Sequence, residues 1–131
     1  MQMGVGRAGW YSWDRLDNGG KLSADRIVPE WQSLAAGQRL NVSPDGQRWM
    51  TVAIVEPGRA LVLRATAELP SGRSFDPRLG HLPRGYLDGT WGFYLQPTPG
   101  GKTRLRSQYM ALYPAGYPVV RWTTSTGMAR P

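Results

Sequence analysis

"RWMTVAIVEPGRALVLRATAEL", residues 48–69, is the stretch whose reading decides the fold. It reads as two β-strands around Glu56-Pro57-Gly58-Arg59. Proline fixes φ at the first central position of the turn and glycine supplies positive φ at the second, the type II pattern. In the strand over 49–55, Trp49, Thr51, Ala53 and Val55 share one face, and Met50, Val52 and Ile54 share the other. Both faces are largely apolar, so neither lies fully open to water unless it lines a cavity. In the strand over 60–67, Leu61, Leu63 and Ala65 oppose Val62, Arg64 and Thr66, an ordinary in/out division.

Working outward, a second hairpin follows. "TWGFYLQP" (90–97) alternates Trp91, Phe93 and Leu95 against Gly92, Tyr94 and Gln96. "PTPGGK" supplies the turn, and "TRLRSQYMALY" (103–113) then sets Leu105, Ser107, Tyr109 and Ala111 against Arg104, Arg106, Gln108 and Met110. The face with the two arginines reads as solvated, and the face with Leu105 and Tyr109 as inward. Residues 39–42 add a short edge strand. The expectation is an α+β domain dominated by an antiparallel sheet of four to six strands.

Between the hairpins, "PSGRSFDPRLGHLPRGYLDG" (70–89) is rich in Gly, Pro and Arg without periodicity and reads as a flexible loop. The C-terminal "PAGYPVVRWTTSTGMARP" (114–131) reads as an irregular tail. Near the N-terminus, "WYSWDRLDNGG" (10–20) has the makings of one or two helical turns, with Ser12 as N-cap and Asn18-Gly19-Gly20 as the stop. Charge is evenly mixed and there are no repeats, so residues 1–131 form a single domain.

Composition excludes several function classes. There is no cysteine, which removes disulfides and thiolate metal sites and permits a cytoplasmic location. No apolar run approaches the roughly 20 residues a membrane span needs, and "MQMGVGRAGW" has no apolar core of signal-peptide length. The net charge of +7 sets 14 Arg and two Lys against nine acidic residues, the basic ones scattered with no dense block. Nucleic-acid binders more often concentrate such charge in one run or on one face, so nucleic acid is not the expected partner.

The catalytic motifs are weak. His81 stands alone in the loop, with no spacing that suggests a metal site or a triad, and there is no G-x-S-x-G. "GVGRAG" (4–9) has the G-x-G-x-x-G spacing but lacks the βαβ context of a dinucleotide loop. No cofactor is expected. The carboxylates Asp14, Asp25 and Glu30 lie near Trp10, Tyr11, Trp13 and Trp31. Among aromatic rings a carboxyl can be raised in pKa and act as an acid or base. The competing reading is that these acids pair with Arg15 and Arg26 or cap short turns. Trp49, Trp91, Phe93 and Tyr109 likewise either fill a core or line a ligand cavity. A sheet with one apolar face needs a covering element, and no long amphipathic helix is visible in these residues.

"GRAGWYSWDRLDN" (6–18), "SADRIVPEWQSLAAGQRL" (23–40), "VEPGRALVLR" (55–64) and "DGTWGFYLQPTPGGKTRLRSQ" (88–108) together resemble a bacterial branch of the SRPBCC superfamily. This is the START-like, polyketide cyclase and lipid-transfer group. The resemblance runs from about residue 2 to 113, and "YSWD" and "ADRIVPEWQ" are its more specific segments. It implies a helix-grip fold, a curved antiparallel sheet around a long C-terminal helix with an apolar cavity between them. The strand and helix expected upstream of Met1 and the long C-terminal helix have no counterpart here, so the resemblance implies a grip truncated at both ends. Residues 23–40 become the connection into the sheet, with Pro29 starting a turn, Trp31 packing inward and Gly37 releasing the chain into the edge strand.

The expected function is binding of a small hydrophobic or aromatic molecule on the concave face. Its walls are Tyr11, Trp31, Trp49, Trp91, Phe93 and Tyr109, and its polar rim is Asp14, Asp25, Arg26 and Glu30. Two alternatives stand beside it. One is a cyclase- or dehydratase-like enzyme with Asp25 or Glu30 as acid/base. The other is an interaction module whose uncovered sheet face pairs with another chain, including a second copy of itself.

Overall fold

The computed structural model describes residue 15 and residues 19–112. Of the expected helical turns in 10–18 only Arg15 is described, and it is helical; the glycine pattern at 4–9, Tyr11, Asp14 and the tail 114–131 lie outside the described residues.

Five strands form one open antiparallel sheet in sequence order: β1 (Arg39–Asn41), β2 (Trp49–Glu56), β3 (Ala60–Glu68), β4 (Tyr86–Thr98) and β5 (Lys102–Leu112). The strand count falls within the expected four to six. Apart from the helical Arg15, helix among the described residues is confined to two 3-10 turns, Pro29–Trp31 and Pro77–Leu79. The central turn forms as the sequence dictates. Gly58 has φ 70° and the Arg59 N–H donates to the Glu56 carbonyl at 3.0 Å.

The register corrects the simple alternation of β2. Val52 pairs with Leu63, but Ile54 pairs with Val62 and Val55 with Leu61, so a bulge lies between Val52 and Ile54. One extra residue in a strand exchanges the faces of everything beyond it. Val55 therefore joins Val52, and Ile54 joins Thr51 and Trp49. This is the physical reason both faces of β2 look apolar in a strict period-2 reading.

The sheet thus has two distinct faces. The apolar face carries Leu40, Met50, Val52, Val55, Leu61, Leu63, Trp91 and Phe93, continued on β5 by Leu105 and Tyr109. Its buried centre is Leu40, Val52 and Leu63, against which Leu34, Met50, Val55 and Leu61 pack. Each fully buried Leu or Val there contributes about 1.5–3 kcal/mol. Leu34, from the segment entering β1, packs on the core, the role the resemblance implies for Trp31; Trp31 itself is half-buried. Gly37, at φ 85°, donates its N–H to the Val52 carbonyl at 2.8 Å and leads into β1.

The second face carries Trp49, Thr51, Ile54, Val62, Arg64, Thr66, Asp88, Tyr94, Arg104 and Arg106. We call it the arginine face. Two differences from the sequence reading concern the β4–β5 hairpin. β4 begins at Tyr86, inside the segment read as loop, because Glu68–Arg64 of β3 offers partners to Tyr86–Thr90. And β5, although its parity is as expected, is an edge. Leu105 is 52% and Tyr109 56% exposed rather than turned into a core.

Candidate functional site

The arginine face holds an open cleft of about 480 Å³. Register explains why it is there. Two transverse rows cross the sheet, Ile54–Val62–Gly92–Gln108 and Glu56–Ala60–Tyr94–Arg106. The small residues Ala60 and Gly92 sit between larger neighbours, so the surface is depressed along both rows. A Cβ on Gly92 would stand 2.7 Å from the Tyr94 ring. The phenol therefore lies folded back over the Gly92 backbone, a placement only glycine admits, and aromatic cover of a strand glycine is a recurrent way to pack such a position.

The cleft floor is Ile54, Ala60, Val62 and Tyr94, and the rim is Glu56, Arg59, Gln96, Arg106 and Gln108. Glu56 and Arg59 form an exposed ion pair at 3.6 Å across the hairpin turn. Exposed pairs of this kind are worth little to stability. Arg106 has no carboxylate within ion-pairing distance among the described residues. The rim thus presents one uncompensated guanidinium and two amides beside an apolar floor.

Further along the same face is a smaller recess of about 180 Å³, lined by Trp49, Thr51, Ala53, Arg64, Thr66, Phe75, Asp76, Pro77 and Arg78. Here residues 74–78 cross over the sheet and are pinned to it. The Ser74 hydroxyl accepts from the Trp49 N–H at 2.9 Å and donates to the Trp49 carbonyl. The Thr66 hydroxyl donates to the Phe75 carbonyl, and the Phe75 ring meets Tyr86 edge-on at 6.0 Å. Asp76 accepts from Arg78 through Nε at 2.9 Å and from Arg39 at 3.1 Å. Arg39 also stacks over the Trp49 ring at 4.7 Å. The Arg78 side chain, then the Arg78 backbone N–H, hold the Asp76 carboxyl well below the usual carboxylate range, with burial opposing them. A carboxyl so firmly ionised is poorly matched to proton transfer near neutral pH. The same pairing raises the Arg78 guanidinium, and Asp88 raises Arg64 through a two-pronged contact, Nε to Oδ1 at 2.9 Å. This recess is a structural clamp whose charges already have partners.

The expected site residues divide. Trp91 and Phe93 come together on the apolar face, ring centroids 4.8 Å apart, with Tyr109 directly opposite Trp91. The Trp91 indole N–H donates to the Ser107 hydroxyl at 2.9 Å. Phe93 is buried at 3% exposure. Trp49, expected in the same wall, lies on the arginine face, in the recess under the 74–78 segment. Asp25, Arg26 and Glu30 are exposed, and none of the three lines the cleft or the recess. His81 is exposed. No group of three or more metal-ligating side chains occurs among the described residues. No described helix is long and apolar enough to cross a membrane.

The residues of the 480 Å³ cleft, Ile54, Val62, Tyr94, Arg106 and Gln108, escaped the sequence reading. The usable signal was small: Ala60 and Gly92 are two of several small residues in β3 and β4. Compared with known proteins, the chain matches no family model, no curated protein and no solved structure.

Proposed function

We propose that the protein binds a small molecule with an apolar or aromatic body and one anionic group, in the cleft of the arginine face. The observation that carries this reading is the pairing of an apolar floor, Ile54, Val62 and Tyr94, with the uncompensated Arg106 on the rim. Small-molecule sites are typically concave and about 300–1,000 Å³, with polar groups that set orientation. Apolar surface laid on the floor contributes about 25 cal/mol per Å². A carboxylate, sulfonate or phosphate at the rim meets Arg106 and the Gln108 amide, and such charge-assisted hydrogen bonds contribute about 1.5–3 kcal/mol. The resemblance to the SRPBCC superfamily implies an apolar guest within an incomplete helix-grip, on the face that carries Trp91 and Phe93. The proposed floor is on the face opposite Trp91 and Phe93.

A fluorescent naphthalene sulfonate, 1-anilinonaphthalene-8-sulfonate, has the required shape and charge. Titrated into the folded protein, it should saturate at one site. Arg106→Ala should weaken it about tenfold, the equivalent of losing one charge-assisted hydrogen bond, and Ala60→Leu should block it by filling the floor. Circular dichroism should show both variants folded. Binding indifferent to both substitutions, or no binding to the native protein, contradicts the reading.

A further inference from the structure

Among the described residues the sheet has two edges, and they are built differently. β1 is only three residues long, Arg39–Asn41, with Leu40 buried. β5 exposes eleven, Lys102–Leu112, and every one except Ala111 is exposed. Its register with β4 runs unbroken from Asp88↔Leu112 to Thr98↔Lys102, with no bulge and no proline on the β5 side. Among the described residues β5 pairs with β4 alone. Short strands, bulges, prolines and charged side chains are the usual means of blunting an edge, and of these β5 has only the last.

What β5 does have is charge of one sign. Lys102, Arg104 and Arg106 occupy alternate positions and so project from one face, and the strand contains no acidic residue. A like-charged edge repels another strand of the same kind and attracts one of opposite sign. Directly opposite residues on neighbouring strands stand about 4.5–5.5 Å apart. An extended segment with Glu or Asp at alternate positions would therefore set its carboxylates against the three cations. Its intervening residues would fall on the side of Leu105, which is 52% exposed. A second copy of β5 meets this demand poorly, since it brings two chains of net charge +7 together and leaves all three cations uncompensated.

We propose that β5 is a strand-addition site for an extended, acidic, alternating segment of another protein. Main-chain hydrogen bonds supply the docking and the Lys102–Arg104–Arg106 row supplies the selectivity, as in other cases of recognition by sheet extension. This site adjoins the ligand cleft and shares Arg106 with it, while Lys102 and Arg104 belong to the strand edge alone.

The test uses the full chain and a labelled, end-blocked peptide alternating glutamate with valine and threonine, followed by fluorescence anisotropy. Binding should be saturable and should weaken about tenfold between low and moderate salt, since the contacts are exposed and screened. The double variant Lys102→Glu, Arg104→Glu should lose the acidic peptide and gain the lysine counterpart, with its circular dichroism unchanged. A fully backbone N-methylated acidic peptide, which keeps the charge but cannot donate, should not bind. The proposal is overturned by an acidic peptide that fails to bind, or by an N-methylated peptide or single-stranded oligonucleotide that binds equally well. A self-association through β5 that shuts the peptide out would overturn it too.

Discussion

β3 and β5 are the two neighbours of β4, and they are held there by different forces. β5 pairs with β4 along the whole of Asp88–Thr98, and β3 over Tyr86–Tyr94. Yet β3 contributes Val62, Leu63 and Thr66 to the interior, while β5 buries nothing. The extent of main-chain pairing and the extent of apolar burial are therefore independent in this sheet. The β1–β2–β3 side is fixed by side chains, through Leu40, Val52 and Leu63. The β5 side rests on ladder hydrogen bonds and cross-strand pairs, each worth only a fraction of a kcal/mol to about 1 kcal/mol.

The sharpest way to break that contrast is to truncate one side chain on each strand. Leu63→Ala removes a side chain that is 1% exposed, and should cost about 2–5 kcal/mol in urea unfolding. Leu105→Ala, on the same face of the sheet but on β5, should cost no more than about 0.5 kcal/mol. Equal losses at the two positions would mean that β5 is covered as thoroughly as β3.

Next in size is Gly92→Ala. The added methyl meets the Tyr94 ring at 2.7 Å, so the ring must swing away. Overpacking of this kind costs about 1–3 kcal/mol, and here it should also deform the cleft floor. Tyr94→Ala in the same chain should recover most of the lost stability, a coupling that a double-mutant cycle measures directly. Additive losses would place the ring elsewhere.

A smaller effect is expected at the clamp, where pH is the lever. The Asp76 carboxyl is held below its unfolded value by Arg78, so its stabilising contribution is present above about pH 4, the ordinary Asp range, and is lost as pH falls through the lowered folded value. In amide exchange, the Phe75 N–H, which donates to the Thr66 carbonyl at 3.3 Å, should lose protection in acid before the β3–β4 ladder does. Asp76→Asn should reproduce the loss at neutral pH. Simultaneous loss along both segments would show that the 74–78 crossing is not a separate unit.

How far the sequence reveals this molecule follows from the same contrast. The β2–β3 hairpin is legible because Pro57-Gly58 fixes the turn and the flanking residues alternate. The bulge at Ala53 is not, because nothing in the identity of a single alanine distinguishes an extra residue from a paired one. The start of β4 at Tyr86 is hidden by Asp88 and Gly89, two poor strand formers whose strand state comes from pairing with β3. Parity along β5 is readable, but alternation says which residues share a face and not whether anything covers it. The cleft is illegible for a related reason. Ala60 and Gly92 matter only because register sets them in adjacent transverse rows. Likewise Trp49 left the expected aromatic wall because strand parity, across three strands, places it opposite Trp91 and Phe93.

Backbone amide NMR during titration with 1-anilinonaphthalene-8-sulfonate tests the location of the binding face most directly. Shifts clustered at Ile54, Val62, Gly92, Tyr94 and Gln108, with little change at Leu40, Leu61 and Leu63, are the result this account predicts. Shifts centred on the Trp91–Phe93 pair and its apolar neighbours, with the Ala60–Gly92 depression silent, would contradict it.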